Sequence, residues 1–309
     1  MKVLIVGAGK AGALNKTTRL NGQIIYRNHL DVLLKLKTTE INIVDHSSSV
    51  LRKLKRRIKS NNIKYFKNLN DVISNVNLAI IATPPKSRIK VLEKIHKLGC
   101  KTVIIEKPLA LKIEETLAII DFIKKKKIKL IVNYPRRYDQ LTKKYIHKTK
   151  LPQKIVCFYG KGILNYGSHL IDFLFQTLGK FQHFSKLYEK SEKSPSFFIM
   201  TKSKVPIYVI GLENIKYDQF EINLFYEKEK VEIRNGGLDV IKLHSKKNLY
   251  IQSYSHLKEE GKVKKHQFTN CFSNLYKSLI KENKINQKFE FQKTTDILYI
   301  YKVIEKINS

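Results

Sequence analysis

The chain of 309 residues is long enough to bury a sizeable core and to form two domains, and its 60 lysine and arginine residues against 26 acidic residues give a net charge of +34. No segment reaches the unbroken apolar length of a membrane span, and the first residues show no signal-peptide pattern, so we expect a cytoplasmic protein without a membrane partner. The three cysteines are far apart and match no zinc or redox spacing, which predicts buried thiols and no metal site.

The excess of basic residues does not by itself predict nucleic-acid binding. Lysine accounts for 51 of the 60 basic residues, whereas base and phosphate recognition favours the planar fork of arginine. The basic runs Arg52 to Lys59 and Lys124 to Lys127 fall on predicted helices whose apolar residues keep helical spacing, which is typical of solvated faces. We therefore expect no nucleic-acid partner, while some attraction of anionic substrates stays open.

The first predicted element is a strand, Lys2 to Val6, that runs straight into the turn Gly7-Ala8-Gly9-Lys10-Ala11-Gly12. This G-x-G-x-x-G spacing after a strand is typical of dinucleotide binding. Gly7 allows a tight turn, Gly9 lets the backbone approach a pyrophosphate, and Gly12 permits close packing of helix on strand. The N-terminus of the helix supplies donors for the phosphates. The candidates for cofactor binding in this turn are Gly7, Gly9, Lys10, Ala11 and Gly12.

A second predicted strand, Ile41 to Val44, ends in Asp45. The carboxylate of Asp45 is the expected acceptor for the ribose hydroxyls, and it favours NAD over NADP because it repels a 2′-phosphate. Gly12 and Asp45 are farther apart than the usual separation of about 20 residues. We therefore predict an extra loop over Asn15 to Gln23, with a turn at Asn21-Gly22, before a helix around His29 to Leu36. Alternatively, the glycines form only a tight turn in another kind of α/β protein.

Strand-like and helix-like segments then alternate, which predicts a doubly wound parallel sheet covered by helices on both faces. The predicted elements are a helix near Ser49 to Ser60, a strand at Ile63 to Phe66, a helix at Leu69 to Ser74, a strand at Leu78 to Ala82, the turn Thr83-Pro84-Pro85 with a helix to Leu98, a strand at Thr102 to Ile105 tipped by Glu106, a helix from Ile113 and a strand at Lys129 to Val132.

The tripeptide Glu106-Lys107-Pro108 places an amine directly after the buried strand Thr102 to Ile105. Ligands of open α/β sheets bind beyond the carboxyl ends of the strands, so Lys107 is a candidate for chemistry. Pro108 ends the strand and stiffens the turn. Most lysines are solvated surface groups, however, and the tripeptide alone is weak evidence.

Past Leu151 the pattern changes to one helix, near Ser168 to Leu178, and to alternating runs that predict an antiparallel sheet. We predict a dinucleotide-binding Rossmann domain at residues 1–133 and an α/β domain with an open, largely antiparallel sheet at residues 134–309. The alternating runs are Val205 to Gly211, Phe220 to Tyr226 and Val231 to Arg234, and two late helices, Phe268 to Ile280 and Thr294 to Ile307, could pack back on the first domain.

The segment Asn165-Tyr166-Gly167-Ser168-His169-Leu170-Ile171-Asp172 is a second candidate site. In a helix, Asn165, His169 and Asp172 share one face because they are four and three residues apart. Three other interpretations stay open: Ser168 could cap the helix, Asp172 could be a buried orienting acid, and His169 could be a structural histidine.

Together these motifs resemble the Gfo/Idh/MocA oxidoreductase family over essentially the whole chain. The resemblance implies a Rossmann domain followed by a domain with an open, largely antiparallel sheet. It also implies NAD(P)-dependent oxidation or reduction of a hydroxyl on a sugar, inositol or sugar nucleotide, in a homo-oligomer. The motifs that carry it are Gly7 to Gly12, Thr83-Pro84-Pro85, Glu106-Lys107-Pro108, Asn133-Tyr134-Pro135-Arg136-Arg137-Tyr138-Asp139 and Gly167 to Asp172.

The same resemblance implies roles for individual residues. Lys107 resembles the lysine that assists proton transfer at the reacting hydroxyl, and His169 resembles its partner acid/base. Thr83 and Pro84 would border the cofactor, and Glu106 would help to place Lys107. Many members have aspartate where this chain has Asn165, which cannot take a proton but can hold a substrate hydroxyl.

The pattern Asn-x-x-x-His resembles the bacterial subgroup acting on nucleotide-linked amino sugars or their uronates in surface-glycan pathways. Arg136 and Arg137 could bind a carboxylate or phosphate, or they could pair with Asp139 at the surface. Tyr134 and Tyr166 could stack on a sugar or fill the interdomain wall. Asn133 and Asp172 complete the candidate substrate contacts.

We therefore predict an NAD-dependent oxidoreductase that interconverts a hydroxyl and a ketone on a nucleotide-linked or otherwise anionic sugar. One alternative is an inositol or free-sugar dehydrogenase. The extra loop and the missing aspartate leave open a different class, a non-catalytic NAD(H)-binding sensor or partner subunit.

Overall fold

The computed structural model describes residues 1–20, 23–36, 38, 40–73, 75–138, 150–187, 191, 193–251, 253–260, 264–265, 271–285 and 293–308. The chain divides into two compact units. The first unit comprises Met1–Tyr134 and Phe272–Tyr301, and the second comprises Pro135–Cys271 and Lys302–Ser309.

The helices begin and end close to the residues predicted from apolar spacing. In chain order they are α1 (His29–Lys35), α2 (Ser48–Arg57), α3 (Arg88–Lys97), α4 (Ile113–Lys125), α5 (Ser168–Leu178), α6 (Cys271–Ile285) and α7 (Thr294–Asn308).

The strands of the first unit are β1 (Lys2–Val6), β2 (Thr18–Leu20), β3 (Gln23–Ile25), β4 (Glu40–Val44), β5 (Ile63–Phe66), β6 (Leu78–Ile81), β7 (Thr102–Glu106) and β8 (Lys129–Asn133). In the second unit they are β9 (Lys154–Tyr159), β10 (Phe181–Lys186), β11 (Phe197–Thr201), β12 (Pro206–Gly211), β13 (Phe220–Phe225), β14 (Glu229–Arg234), β15 (Asp239–Lys247), β16 (Ser255–Glu259) and β17 (Lys264–Lys265).

A parallel sheet in the order β5-β4-β1-β6-β7-β8 forms the centre of the first unit. Its central strands are apolar on both faces, because helices cover both faces of a doubly wound sheet. Val3, Leu4 and Ile5 of β1 are fully buried, and so are Val103 and Ile104 of β7. The predicted fold class of this unit is confirmed.

The second unit contains a nine-stranded sheet in the order β10-β11-β12-β9-β13-β14-β15-β16, with β17 also paired to β15. β9 and β12 pair in parallel, and the other neighbours pair antiparallel. Alternate residues of β13 are buried, which is the pattern of a sheet packed on one face. The predicted open, largely antiparallel sheet is therefore confirmed.

Three predicted segments differ from the structure. The helix expected directly after the glycine turn is a single π-helical turn, Lys10–Leu14, and the first α-helix is α1. The extra loop over Asn15 to Gln23 contains a hairpin, in which β2 pairs antiparallel with β3; the turn predicted at Asn21-Gly22 lies outside the described residues. The helix predicted over Leu69 to Ser74 is a single short 3₁₀ turn, Leu69–Asp71, followed by extended backbone at Val72. Apolar spacing over six residues predicts a helix and a short turn equally well.

The three cysteines are buried thiols, as predicted. Burial also raises the pKa of the Cys100 and Cys157 thiols. Over the described ranges, none of the helices combines the length and apolar character needed to cross a membrane.

Candidate active site

The glycine turn lies at the carboxyl end of β1, between β4 and β6. Gly7 has φ of +90°, a backbone conformation that favours glycine. A Cβ on Gly12 would overlap the carbonyl oxygen of Gly7, so only glycine allows the turn to close this tightly. A Cβ on Gly9 would meet nothing within 4 Å. The space beside Gly9 is thus open to a group that approaches the backbone closely, and the residues present fit a dinucleotide pyrophosphate.

Asp45 is fixed against this turn. Its Oδ2 accepts a hydrogen bond from the Ala8 amide at 2.8 Å, and its Oδ1 accepts one from the Ser47 amide at 2.9 Å. Each carboxylate oxygen retains a lone pair for a further donor. Asp45 therefore supports the turn directly and is still able to accept a ribose hydroxyl.

Lys107 and Glu106 lie at the carboxyl end of β7. The Glu106 carboxylate is 12% exposed, and its Oε1 accepts hydrogen bonds from Asn133 Nδ2 at 2.6 Å and from His29 Nε2, which lies 2.9 Å away. Burial raises the pKa of Glu106, but the bond and charge of His29, the Asn133 amide and the Lys107 charge together hold this pKa below its usual value. Glu106 is therefore a charged, hydrogen-bonded neighbour of Lys107.

Arg88 joins the two turns that follow β6 and β7. Its guanidinium is 2% exposed and donates to the Thr83 carbonyl at 2.9 and 3.2 Å, to the Leu109 carbonyl at 3.1 Å and to the Pro108 carbonyl. Burial lowers the pKa of Arg88 to about 10, while the nearby Tyr301 and Glu106 oppose that shift. The side chain remains charged at neutral pH and satisfies carbonyls that would otherwise be left without donors.

The helix predicted near Ser168 to Leu178 is confirmed as α5, and the segment before it is a wider turn. Residues Ile163–Gly167 form one wider π-helical turn, with the Gly167 amide bonded to the Gly162 carbonyl at 3.2 Å, and α5 then begins at Ser168. Asn165 lies in the wider turn, whereas His169 is 5% exposed in the first turn of α5. π-Turns are often found at functional sites.

Ser168 does not cap α5 with its hydroxyl. It donates instead to the carbonyls of Leu164 at 3.0 Å and Asn165 at 2.8 Å. The Ser168 hydroxyl, in the first turn of α5, thereby stabilises the preceding π-helical turn through two of its carbonyl groups.

Arg136 and Arg137, predicted as a pair, have different surroundings in the structure. Arg137, 8% exposed, makes an ion pair with the buried Asp172, with Nε and Nη2 at 2.7 and 2.5 Å from Oδ1. Asp172 is thus the orienting partner of a buried arginine. The alternative partner, Asp139, lies outside the described residues.

Arg136 has a different position. Its guanidinium carbon lies 3.8 Å from the centroid of the Phe220 ring and 5.6 Å from that of Tyr166, and its Nη2 donates to the Gly236 carbonyl at 3.0 Å. Lys161 lies 5.2 Å from the Tyr166 ring centroid and pairs with Asp218. The cationic groups of Arg136 and Lys161 therefore both lie near the partly exposed Tyr166 ring.

Tyr134 is fully buried in the core of the first unit, with Tyr301 as a hydrogen-bond partner of its side chain. Its ring fills the core, whereas the ring of Tyr166 remains partly exposed. Of the two tyrosines, Tyr166 has the surface that a sugar ring could contact.

Three residues that sequence reasoning missed support the Lys107 segment: His29, Arg88 and Tyr276. His29 was predicted only as the start of a helix, and Arg88 only as part of one. The sequence offered one weak signal for these contacts. His29 starts the first helix after the glycine turn, and Arg88 starts the helix that follows the Thr83-Pro84 turn. Within the described ranges, no group of three or more histidine, cysteine, aspartate or glutamate side chains is arranged to hold a metal ion.

Comparison with known proteins agrees with this geometry. Residues 1–134 match the model of the GFO/IDH/MocA family, an oxidoreductase family with an NAD-binding Rossmann fold. The match covers residues 1–134, which form most of the first unit. The resemblance inferred from the motifs and its cofactor, NAD, are thereby confirmed. None of the curated proteins compared with this chain matches it significantly in sequence.

Solved structures share the fold over nearly the whole chain. A super-repressor mutant of Gal80p from Saccharomyces cerevisiae is 14% identical, with a TM-score of 0.76, over 99% of this chain and 94% of that chain. UDP-N-acetylglucosamine 3-dehydrogenase from Acidithiobacillus ferrooxidans is 12% identical, with a TM-score of 0.71, over 100% and 96%. An Agrobacterium radiobacter oxidoreductase in complex with NAD⁺, L-tartaric acid and magnesium is 12% identical, with a TM-score of 0.69, over 98% and 94%.

The glycine turn yields a paired prediction. Gly12→Ala places a Cβ against the Gly7 carbonyl, so we expect a loss of about 2 kcal/mol or more in the free energy of unfolding, measured by urea denaturation. Gly9→Ala meets open space, so it should unfold like the wild type but bind NADH more weakly in a fluorescence titration. Equal stability of both variants would show that the turn does not close as described.

Arg88 yields a second prediction. Arg88→Met leaves buried carbonyl groups without donors, and each such group costs about 1–3 kcal/mol. We expect the free energy of unfolding to fall by at least about 2 kcal/mol, whereas Lys90→Met, an exposed change on the same helix, should have little effect. Comparable stability of the two variants in urea would contradict the bridging role of Arg88.

Proposed function

We propose that the chain is an NAD-dependent oxidoreductase that interconverts a hydroxyl and a ketone on a sugar. The observation that carries the proposal is the position of Lys107, at the carboxyl end of β7 beside the charged and hydrogen-bonded Glu106. The match of residues 1–134 to an oxidoreductase family with an NAD-binding Rossmann fold supports it.

The proposed chemistry assigns proton movement to side chains. NAD, when bound at the glycine turn, supplies hydride transfer. In the oxidation direction, the Lys107 amine accepts the hydroxyl proton as the carbonyl forms, and in reduction it returns that proton to the alcohol oxygen. His169 acts as the second acid/base, and Asn165 holds a sugar hydroxyl through its amide.

An anionic sugar, nucleotide-linked in the first instance, is the proposed substrate class. Arg136 and Lys161 carry positive charge beside Tyr166, whose ring has exposed surface for a sugar or base. The UDP-N-acetylglucosamine 3-dehydrogenase of similar fold acts on a substrate of this class. A role in glycan biosynthesis follows from such a substrate, and free sugars and inositol are the alternatives to test beside it.

A second candidate function is that of a non-catalytic NAD(H)-binding sensor. The similarity in fold to a super-repressor mutant of Gal80p favours this candidate. Asn165, which cannot take a proton, also fits a protein without turnover. The sensor hypothesis predicts NADH binding with no change in nicotinamide absorbance across a panel of nucleotide-linked sugars, free sugars and inositols.

Lys107→Met tests the proposed function directly. The methionine keeps the length and apolar stem of the lysine but cannot take a proton, so we expect kcat to fall by about 10²-fold or more while NADH binding is retained. The matched control is Lys101→Met, which removes an exposed lysine just before the other end of β7 and should keep wild-type turnover. Wild-type kcat in Lys107→Met would remove Lys107 from the mechanism.

Arg136→Met tests the substrate class. The change keeps apolar cover over Phe220 but removes the charge, and a hydrogen bond to a charged group contributes about 1.5–3 kcal/mol. We expect KM for a nucleotide-linked sugar to rise about tenfold or more, with KM for NAD unchanged. Arg234→Met, which removes an exposed arginine whose partner, the buried Glu232, keeps its ion pair with Lys230, serves as the control. Unchanged KM in Arg136→Met would contradict anion binding by Arg136.

A further inference from the structure

The first unit contains a buried histidine that the proposed chemistry does not use. His29 is fully buried at the start of α1, immediately after the inserted hairpin β2–β3. Both ring nitrogens have partners: Nε2 lies 2.9 Å from Glu106 Oε1, and Nδ1 lies 2.7 Å from the Tyr276 hydroxyl. The rings of Phe272 and Tyr276 pack edge-on against the imidazole. This packing fixes the ring in one orientation.

The Tyr276 hydroxyl keeps the imidazole hydrogen-bonded in either protonation state. Burial raises the pKa of Tyr276 well above its usual value, so the phenol stays neutral. A neutral phenol can donate to Nδ1 of a neutral imidazole or accept from Nδ1–H of an imidazolium. In both cases Nε2–H is left to donate to Glu106. The hydrogen-bonding pattern around the ring therefore leaves Nε2 to Glu106 in both of these arrangements.

Glu106 in turn connects His29 to Lys107. Its Oε1 accepts from His29 on one side and from Asn133 on the other, and two donors on one oxygen fix the carboxylate. The positive charge of Lys107 is among the groups that lower the pKa of Glu106. A displacement of the carboxylate would consequently change both the position and the electrostatic environment of the adjacent amine.

We propose that His29 is a positioning residue for the reaction: held by Tyr276, it fixes the Glu106 carboxylate and, through it, the Lys107 amine. This inference rests on the proposed function for its kinetic part. The segment between the glycine turn and α1 contributes to this arrangement, because it leads the chain to His29 beside the carboxyl end of β7.

Two conservative variants separate positioning from stability. Glutamine can place an amide N–H near the position of Nε2, whereas asparagine is too short to reach Glu106. We expect His29→Asn to lower kcat at least about tenfold, because a small misplacement of a reacting group lowers a rate by up to about 10²-fold. His29→Gln should recover most of that loss, and both variants should keep the wild-type dissociation constant for NADH.

A spectroscopic measurement tests the same link without a substrate. In a proton NMR spectrum, the His29 ring N–H should give a slowly exchanging downfield resonance, assigned by its loss in His29→Gln. Lys107→Met removes a charge that attracts Glu106, so this resonance should move. It should stay in place in Lys107→Arg, which keeps the charge, and in Lys101→Met.

The outcomes separate the two hypotheses. A wild-type protein without turnover on any sugar would overturn the proposed function, yet the resonance would still report the contact from His29 through Glu106 to Lys107. Equal kcat in folded His29→Asn and wild type, equal loss in the Asn and Gln variants, or a resonance unmoved by Lys107→Met would each overturn the positioning role.

Discussion

One largely buried carboxylate, that of Glu106, constrains the architecture of the first unit. Glu106 ends a central strand where little water can reach it, and a charge in that position is tolerated only when donors surround it. The donors come from β8 through Asn133 and from α1 through His29, and His29 depends in turn on Tyr276 of α6. Segments distant in sequence are thus fixed around one charge, at the edge of the sheet where the glycine turn also lies.

The same edge is stabilised by a buried cation as well as by apolar packing. The strands below it pack apolar side chains on both faces, but the turns that leave the strands expose carbonyl groups that the core cannot satisfy. Arg88 satisfies three of them and so fixes the Thr83 turn relative to the Pro108 turn. Arg88 is an exception among the 60 basic residues, because 51 of them are lysines and the basic runs on α2 and α4 are largely exposed. The large net charge of the chain thus comes from other residues than the buried charges of Arg88 and Glu106.

What could be predicted from the sequence were the features that depend on local pattern. Alternating strand and helix segments predicted the parallel sheet, and the glycine spacing predicted the tight turn that Gly7 and Gly12 form. Contacts between distant residues could not be predicted this way: His29 and Tyr276 are 247 positions apart, and His29 and Glu106 are 77 apart. The hairpin β2–β3 and the π-turn at Asn165 were also missed, because apolar spacing does not specify short or wide turns.

The buried network bears on the choice between an enzyme and a sensor. The fold cannot make that choice, since one fold supports several functions. A protein that only binds NAD(H) needs the glycine turn and Asp45, and it gains nothing from a charged carboxylate held beside a lysine. Replacing such buried charges by apolar residues of similar volume is often neutral or stabilising. Stability alone therefore gives no reason for the His29, Glu106 and Asn133 cluster, whereas the proposed proton transfer by Lys107 would require such precise placement.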